Sequence, residues 1–194
     1  AADQEKQRAR LVTLLGLFAV VNFPDTLLLL RAKDLGLDYA GVVAAYVLYN
    51  LSYAVLSYPA GVVSDRISRR VVFATGLVAF GVTYLGFGLT RSSAWVWVLL
   101  PVYGAYAALT DGVSRAWIAD LVPTGVRGTA LGVHAAVSGF GLLVAGVWAG
   151  LAWNGTGRVP FLIAGSVALA TAAAIALRGG AFEPAAGHHP AEAA

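Results

Sequence analysis

The sequence predicts an all-α, polytopic membrane protein with six transmembrane helices. Three observations predict it. Of the 194 residues, 59% are hydrophobic and 12% charged, and mean hydropathy is +0.75. An ordinary soluble domain has about 45–50% apolar and about 25% charged residues, and a chain this short has too little polar surface to cover so apolar an interior. Second, the apolar residues gather into runs of about 20, the length of helix that crosses a bilayer core. Third, the runs are separated by short connections in which the charges collect. The formal net charge is only +3 and the basic residues are scattered, which excludes a nucleic-acid partner. With no cysteine in the chain, disulfides, thiolate metal sites and cysteine nucleophiles are excluded as well.

Residues 11–30 form the first span, which ends at Arg31-Ala32-Lys33-Asp34. Lys6, Arg8 and Arg10 give it a basic flank, but the run is long for a signal peptide and no small-residue cleavage site follows, so it is expected to remain as a membrane helix. Residues 39–63 form the second span, 71–90 the third, and 94–122 the fourth, which is long and charged in its second half. Residues 128–153 and 159–177 complete the set, making 11–177 one six-helix transmembrane domain. Residues 1–10 are expected to be a cytoplasmic segment. Residues 178–194, rich in Ala, Pro, Gly and His, are expected to be a disordered cytoplasmic tail.

Basic residues stay in cytoplasmic loops. With both termini inside, Lys6, Arg8, Arg10, Arg66, Arg69, Arg70, Arg127 and Arg178 lie inside, against Arg31, Lys33, Arg91 and Arg158 outside. Tyr39, Trp95, Trp97 and Trp153 fall at the outer edge, where aromatic belts sit. A cell membrane is the expected location.

One connection carries a distinctive pattern: Gly61-Val62-Val63-Ser64-Asp65-Arg66-Ile67-Ser68-Arg69-Arg70. A six-residue polar turn with one acid and three arginines is costly at a membrane edge unless its charges are partnered. The acid can face a helix N-terminus, and the arginines can meet acids on neighbouring helix ends or lipid phosphates. The alternative is a positive-inside loop with no further role.

The stretch resembles the signature loop of the major facilitator superfamily, G-x-L-A-D-R-x-G-R-R. It matches at Gly61, Asp65, Arg66, Arg69 and Arg70, conservatively at Val63 and Ser64, and departs at Ser68, where the family has glycine. A second stretch, Asp120-Leu121-Val122-Pro123 through Arg127-Gly128-Thr129-Ala130-Leu131-Gly132, resembles the superfamily's connection between spans ten and eleven. The resemblance covers essentially the whole chain, as a C-terminal half. It implies six helices as two inverted three-helix repeats, substrate held between two such halves, and a gating role for Gly61, Asp65, Arg66, Arg69, Arg70, Asp120 and Arg127. Members carry twelve helices, so this chain is expected to dimerise as a half-size transporter or to form half of a longer one.

Ionisable groups inside a membrane are the leading functional candidates because burying them is costly. Asp25 follows Pro24 about 14 residues into the first span, and Asp111 precedes Gly112 in the fourth, with Arg115 one turn on. These three are the candidates for substrate or proton coupling. A structural Asp111–Arg115 ion pair, and an Asp25 that is merely polar near the outer mouth, are the plainer readings. Under the repeat symmetry that the resemblance implies, the first and fourth helices correspond, and both are expected to be interrupted beside their acid. Asn22, Tyr49, Asn50, Tyr106 and His134 are candidates to line a cavity, or to be satisfied within the bundle. Gly128, Gly132, Ala135, Gly139, Leu143, Gly146 and Gly150 recur at steps of three and four along the fifth span, a spacing of small residues that lets helices approach closely. They serve either packing within the bundle or an interface with a second half. The resemblance favours the interface, because the second and fifth helices of each half meet the other half in this superfamily.

There is no phosphate-binding loop, no strand ahead of Ser138-Gly139 to make a nucleophile elbow, and no ligand set for a metal. The chain is expected not to be an enzyme and to need no cofactor. The expected function is secondary active transport of a small solute by alternating access, with lipid, a small-molecule substrate, protons and a second six-helix half as partners. The alternative is a non-transporting six-helix partner or regulator of another membrane protein; uptake into liposomes separates the two.

Overall fold

A computed structural model of the chain describes residues 18–177, and within that range the side chains of Arg69, Trp117, Asp120 and Leu121 lie outside the description. The expectations for residues 1–10, for the start of the first span and for the tail therefore fall outside the described residues. Among those described, all regular structure is helical.

The first predicted span is broken. Residues 18–21 are helical, Asn22-Phe23-Pro24 are not, and α1 (Asp25–Asp34) starts afresh. Proline has no N–H to continue the ladder, and its ring clashes with the preceding turn. Pro24 is extended at φ −58° and ψ 144°, and Asp25 places a negative charge in the new first turn, where the helix dipole favours it. Side chains satisfy two of the carbonyls around the break. Trp148 Nε1 donates to the Val20 carbonyl at 2.7 Å, and the Tyr84 hydroxyl donates to that of Phe23 at 3.4 Å. Interrupted backbone at membrane depth needs partners of this kind.

Gly36 closes α1 in the left-handed region at φ 102°, and Asp38 caps the next helix by accepting from the Gly41 N–H at 2.8 Å. That helix, α2 (Tyr39–Arg66), runs past the predicted end of the second span. The expected six-residue signature turn is corrected accordingly: only Ile67 and Ser68 connect α2 to α3 (Arg69–Leu89). The Ser64 hydroxyl donates to the Gly61 carbonyl at 2.8 Å and the Ile67 N–H to that of Val63 at 3.0 Å, so the polar residues extend the helix instead of leaving it. A 3₁₀ turn (Ser93–Trp95) leads into α4 (Val96–Leu121), and a second (Thr124–Val126) into α5 (Arg127–Leu151). After a turn with Asn154, Gly155 and Gly157 at positive φ, α6 (Arg158–Leu177) ends the described chain. Contrary to expectation, α4 is not interrupted at Asp111-Gly112. Glycine costs helix stability but keeps its N–H, so the ladder survives where proline breaks it.

Five of these helices, α2 to α6, are long and apolar enough to cross a membrane. α3 packs against α4 and α6, and α2 lies along α4. Gly81 and Gly165 set the α3–α6 crossing: a Cβ on Gly165 would stand 2.9 Å from the Leu85 backbone nitrogen. The core is aromatic. Phe23, Tyr84 and Phe161 lie within 5.2 Å of one another, centroid to centroid, and Phe80 stacks on Tyr84.

Arginines cap the C-terminal end of α3. Arg31, only 4% exposed, donates Nε to the Phe87 carbonyl at 3.1 Å and Nη2 to that of Thr90 at 3.0 Å. Arg158 Nε donates to the Gly88 carbonyl at 3.0 Å, and the Thr90 N–H takes that of Gly86 at 2.8 Å. Three of the helix's last four carbonyls are thus satisfied, two by cations at the negative end of the dipole. Two of the four basic residues counted on the outer side are therefore structural.

Candidate functional site

A cavity of about 670 Å³ lies between the segment before the break, the start of α3, the second half of α4 and the first half of α5. Of the sequence candidates, Asn22, Tyr106, Asp111, Arg115 and His134 line it together. Phe18, Phe73 and Leu131 supply an apolar wall, and Ser138 adds a hydroxyl. Helix geometry explains the grouping. Tyr106, Thr110, Ser114 and Ile118 follow one another at steps of four along α4, as do Leu131, Ala135 and, three further on, Ser138 along α5, so each set shares a face.

Asp111 and Arg115 interact through their charges but form no ion pair among the described residues. Tyr53, from α2, approaches Asp111, and Arg115 is also close enough to His134 for their charges to interact. Thr110 and Ser114 return their hydroxyls to carbonyls of their own helix, at 2.9 and 3.2 Å. Asn22, Arg115 and His134 line the cavity and make no side-chain hydrogen bond among the described residues. The combination of one acid, two basic groups and an apolar wall suits reversible binding of a small amphiphilic molecule.

Asp25 lies behind this cavity rather than on its wall. Its Oδ1 accepts from the Tyr103 hydroxyl at 2.7 Å, and Tyr49 also approaches it. Tyr49 stacks on Tyr103 and on Tyr46, with centroids 5.3 and 5.5 Å away, so an aromatic row joins Asp25 to α2. Asp25 and Asp111 also interact electrostatically. Tyr49 and Asn50 were expected on the cavity and are not among its lining residues: Tyr49 belongs to the row, and exposed Asn50 donates Nδ2 to the Tyr46 carbonyl of its own helix at 2.8 Å.

The signature residues gather elsewhere, at the α2–α3 turn. Gly61, Asp65 and Arg66 are exposed, and Arg70 is half-buried. Arg127, at the start of α5, is tied to the last turn of α4, donating Nε to the Ala119 carbonyl at 2.9 Å. The Arg69 and Asp120 side chains lie outside the described residues.

On α5, a Cβ at Gly128, Gly132, Gly139 or Gly150 would meet nothing within 4 Å. Gly146 differs: its Cβ would lie 3.3 Å from the Pro24 ring, so this glycine serves packing against the break. α2 and α5 are the least buried of the long helices, with Val43, Val47, Leu51 and Val55 on α2 and Val133, Val137, Phe140 and Leu143 on α5 all exposed.

Sequence reasoning missed the groups that hold the break open, Trp148 and Tyr84, and the close approach of Gly141 to Ala19. A tryptophan or tyrosine within an apolar run seeks a polar partner when buried; that was the available signal, and it does not say which partner.

The family model of the Major Facilitator Superfamily matches residues 11–193. An uncharacterized MFS-type transporter of Methanocaldococcus jannaschii is 31% identical over 170 residues, covering 84% of this chain and 43% of that protein. The puromycin resistance protein of Streptomyces alboniger is 32% identical over 113 residues, 58% of this chain and 22% of its own length. Multidrug resistance protein 1 of Bacillus subtilis is 25% identical over 161 residues, 83% of this chain and 40% of its own. The chain thus spans less than half the length of the curated relatives that it matches.

Proposed function

The chain belongs to the major facilitator superfamily, and on that premise we propose that it forms one six-helix half of a secondary active transporter that moves a small solute by alternating access. The cavity carries this reading. It brings Asp111, Arg115 and His134 from two helices to one space beside a broken helix, and broken helices are where transporters of this kind hold substrate and coupling ion.

In this reading residues 11–30 are the first span and bring the five long helices to six, with spans one to three and four to six as inverted repeats. Arg115 and Asp111 orient the solute, and Asp25 takes up and releases a proton, with Tyr103 steadying its carboxylate. The exposed apolar faces of α2 and α5 meet a second six-helix half, either a second copy of this chain or the other half of a longer one. Asp65, Arg66, Arg69 and Arg70, with Asp120 and Arg127, gate the cytoplasmic side, and both termini face the cytoplasm of a cell membrane. The puromycin and multidrug resistance relatives support a small amphiphilic organic solute as cargo.

Filling the cavity tests the proposal. In the full-length protein reconstituted in liposomes, Ala135→Trp projects into the cavity, whereas Leu143→Trp projects from the exposed face of α5. The first should abolish solute uptake at unchanged helix content. Uptake by Ala135→Trp equal to the parent's would refute the assignment.

A further inference from the structure

A second cavity, a groove of about 420 Å³, lies along the α3–α6 pair, away from the solute cavity. Ala74, Val78, Leu169, Ala173 and Ala176 make it apolar, and Arg70 closes one end. Arg70 Nη1 is buried there and has no hydrogen-bond partner among the described residues. The same end of α3 lacks its usual cap: Ser68 makes no side-chain hydrogen bond to the first turn, which instead carries two arginines and no acid. Positive side chains at the positive end of a helix dipole are unfavourable until an anion joins them.

We propose that this groove binds an anionic phospholipid, with the phosphate on Arg70 and one acyl chain along α3 and α6. Charge and shape agree on the occupant. A half-buried arginine whose buried Nη1 lacks a partner among the described residues, at a helix start with no acid in its first turn, calls for a phosphate-like anion. The groove continues from it over the eight residues to Val78, about 12 Å along the helix axis. That is close to the hydrocarbon depth of one leaflet, about 15 Å. A soluble anion would fill the polar end and leave the apolar channel empty; a phospholipid fills both. The Thr75 hydroxyl, the other polar group on the wall, donates to the Val71 carbonyl at 2.9 Å and makes no demand on the ligand.

Native mass spectrometry of the detergent-purified full-length protein tests the site, with dioleoylphosphatidylglycerol and dioleoylglycerol as probes that share acyl chains and differ in the phosphate. The parent should retain the phospholipid about tenfold more strongly, the scale of one hydrogen bond to a charged group. R70Q should reduce it to the dioleoylglycerol level. A173F, at an exposed position that tolerates bulk, should weaken retention of both lipids by obstructing the channel. An R70Q protein that keeps the preference, or an A173F protein that retains both lipids as the parent does, overturns the proposal. A dimer lost on A173F with lipid retention unchanged would also overturn it, making the groove an interface between copies.

Discussion

Replacing Arg31 by methionine keeps the length of the side chain and removes its charge and donors. The structure makes this a severe change for one residue. Arg31 is buried, and both hydrogen bonds it would lose end on carbonyls at the C-terminus of α3, those of Phe87 and Thr90. A hydrogen bond from a charged donor contributes about 1.5–3 kcal/mol, whereas membrane-embedded pairs average nearer about 0.6 kcal/mol. Two bonds at a buried, edge-of-membrane site place the cost at about 3 kcal/mol, including the lost attraction to the helix dipole. For a chain of this size that lowers the melting temperature by roughly 6–12 °C. Arg158→Met removes one part-buried bond, to the Gly88 carbonyl, and should cost about a third as much. Arg31→Lys keeps the charge but cannot span both carbonyls, so it should fall between parent and Arg31→Met. Thermal unfolding in detergent, followed by tryptophan fluorescence and circular dichroism, measures all three. An Arg31→Met protein as stable as the parent, or more stable than Arg158→Met, would refute the capping argument.

Three further outcomes follow from the same geometry. A cysteine at Ser92 should react with an impermeant thiol reagent outside intact cells and one at Ser68 should not; the reverse pattern would invert the proposed orientation. Gly139→Leu, on the open face of α5, should weaken association of the two halves in cross-linking while leaving the melting temperature within about 2 °C of the parent's, as surface changes do. Gly146→Leu, driven into the Pro24 ring, should instead destabilise the fold by about 1–3 kcal/mol through overpacking, and equal effects of the two glycine substitutions on stability would contradict the division of that stripe. Tyr103→Phe, which removes the 2.7 Å hydrogen bond to Asp25, should slow gradient-driven uptake without abolishing it, and a fully inactive variant would assign the hydroxyl a larger part.

Local patterns were legible in the sequence where the cause is local. Apolar runs of membrane length gave α2 to α6, and Pro24 marked the place where the first span breaks. The signature turn was overestimated because Ser64, Asp65 and Arg66 look like loop residues, yet a serine can return its hydroxyl to its own helix and stay within it. The interruption expected at Asp111-Gly112 did not occur because glycine keeps the N–H that proline lacks: Asp25 follows a proline, whereas Asp111 precedes a glycine. Cavity membership was partly legible. Asp111, Arg115 and His134 were singled out by their charge, and the fold brought them together. Tyr49 and Asn50 were singled out by polarity alone, and their direction depends on which face of α2 meets α4, which needs tertiary structure. The arginine caps were invisible for the same reason, since Arg31 and the Phe87 carbonyl are 56 residues apart.

The most direct measurement concerns Asp25 in the full-length protein, reconstituted in liposomes under an imposed proton gradient and offered a panel of labelled amphiphilic solutes that includes puromycin. The parent should accumulate at least one solute only while the gradient lasts. Asp25→Asn, which mimics the protonated carboxyl at nearly constant shape, should accumulate none while still exchanging preloaded solute. Accumulation by Asp25→Asn equal to the parent's, or uptake by the parent that ignores the gradient, would contradict proton-coupled transport through this half.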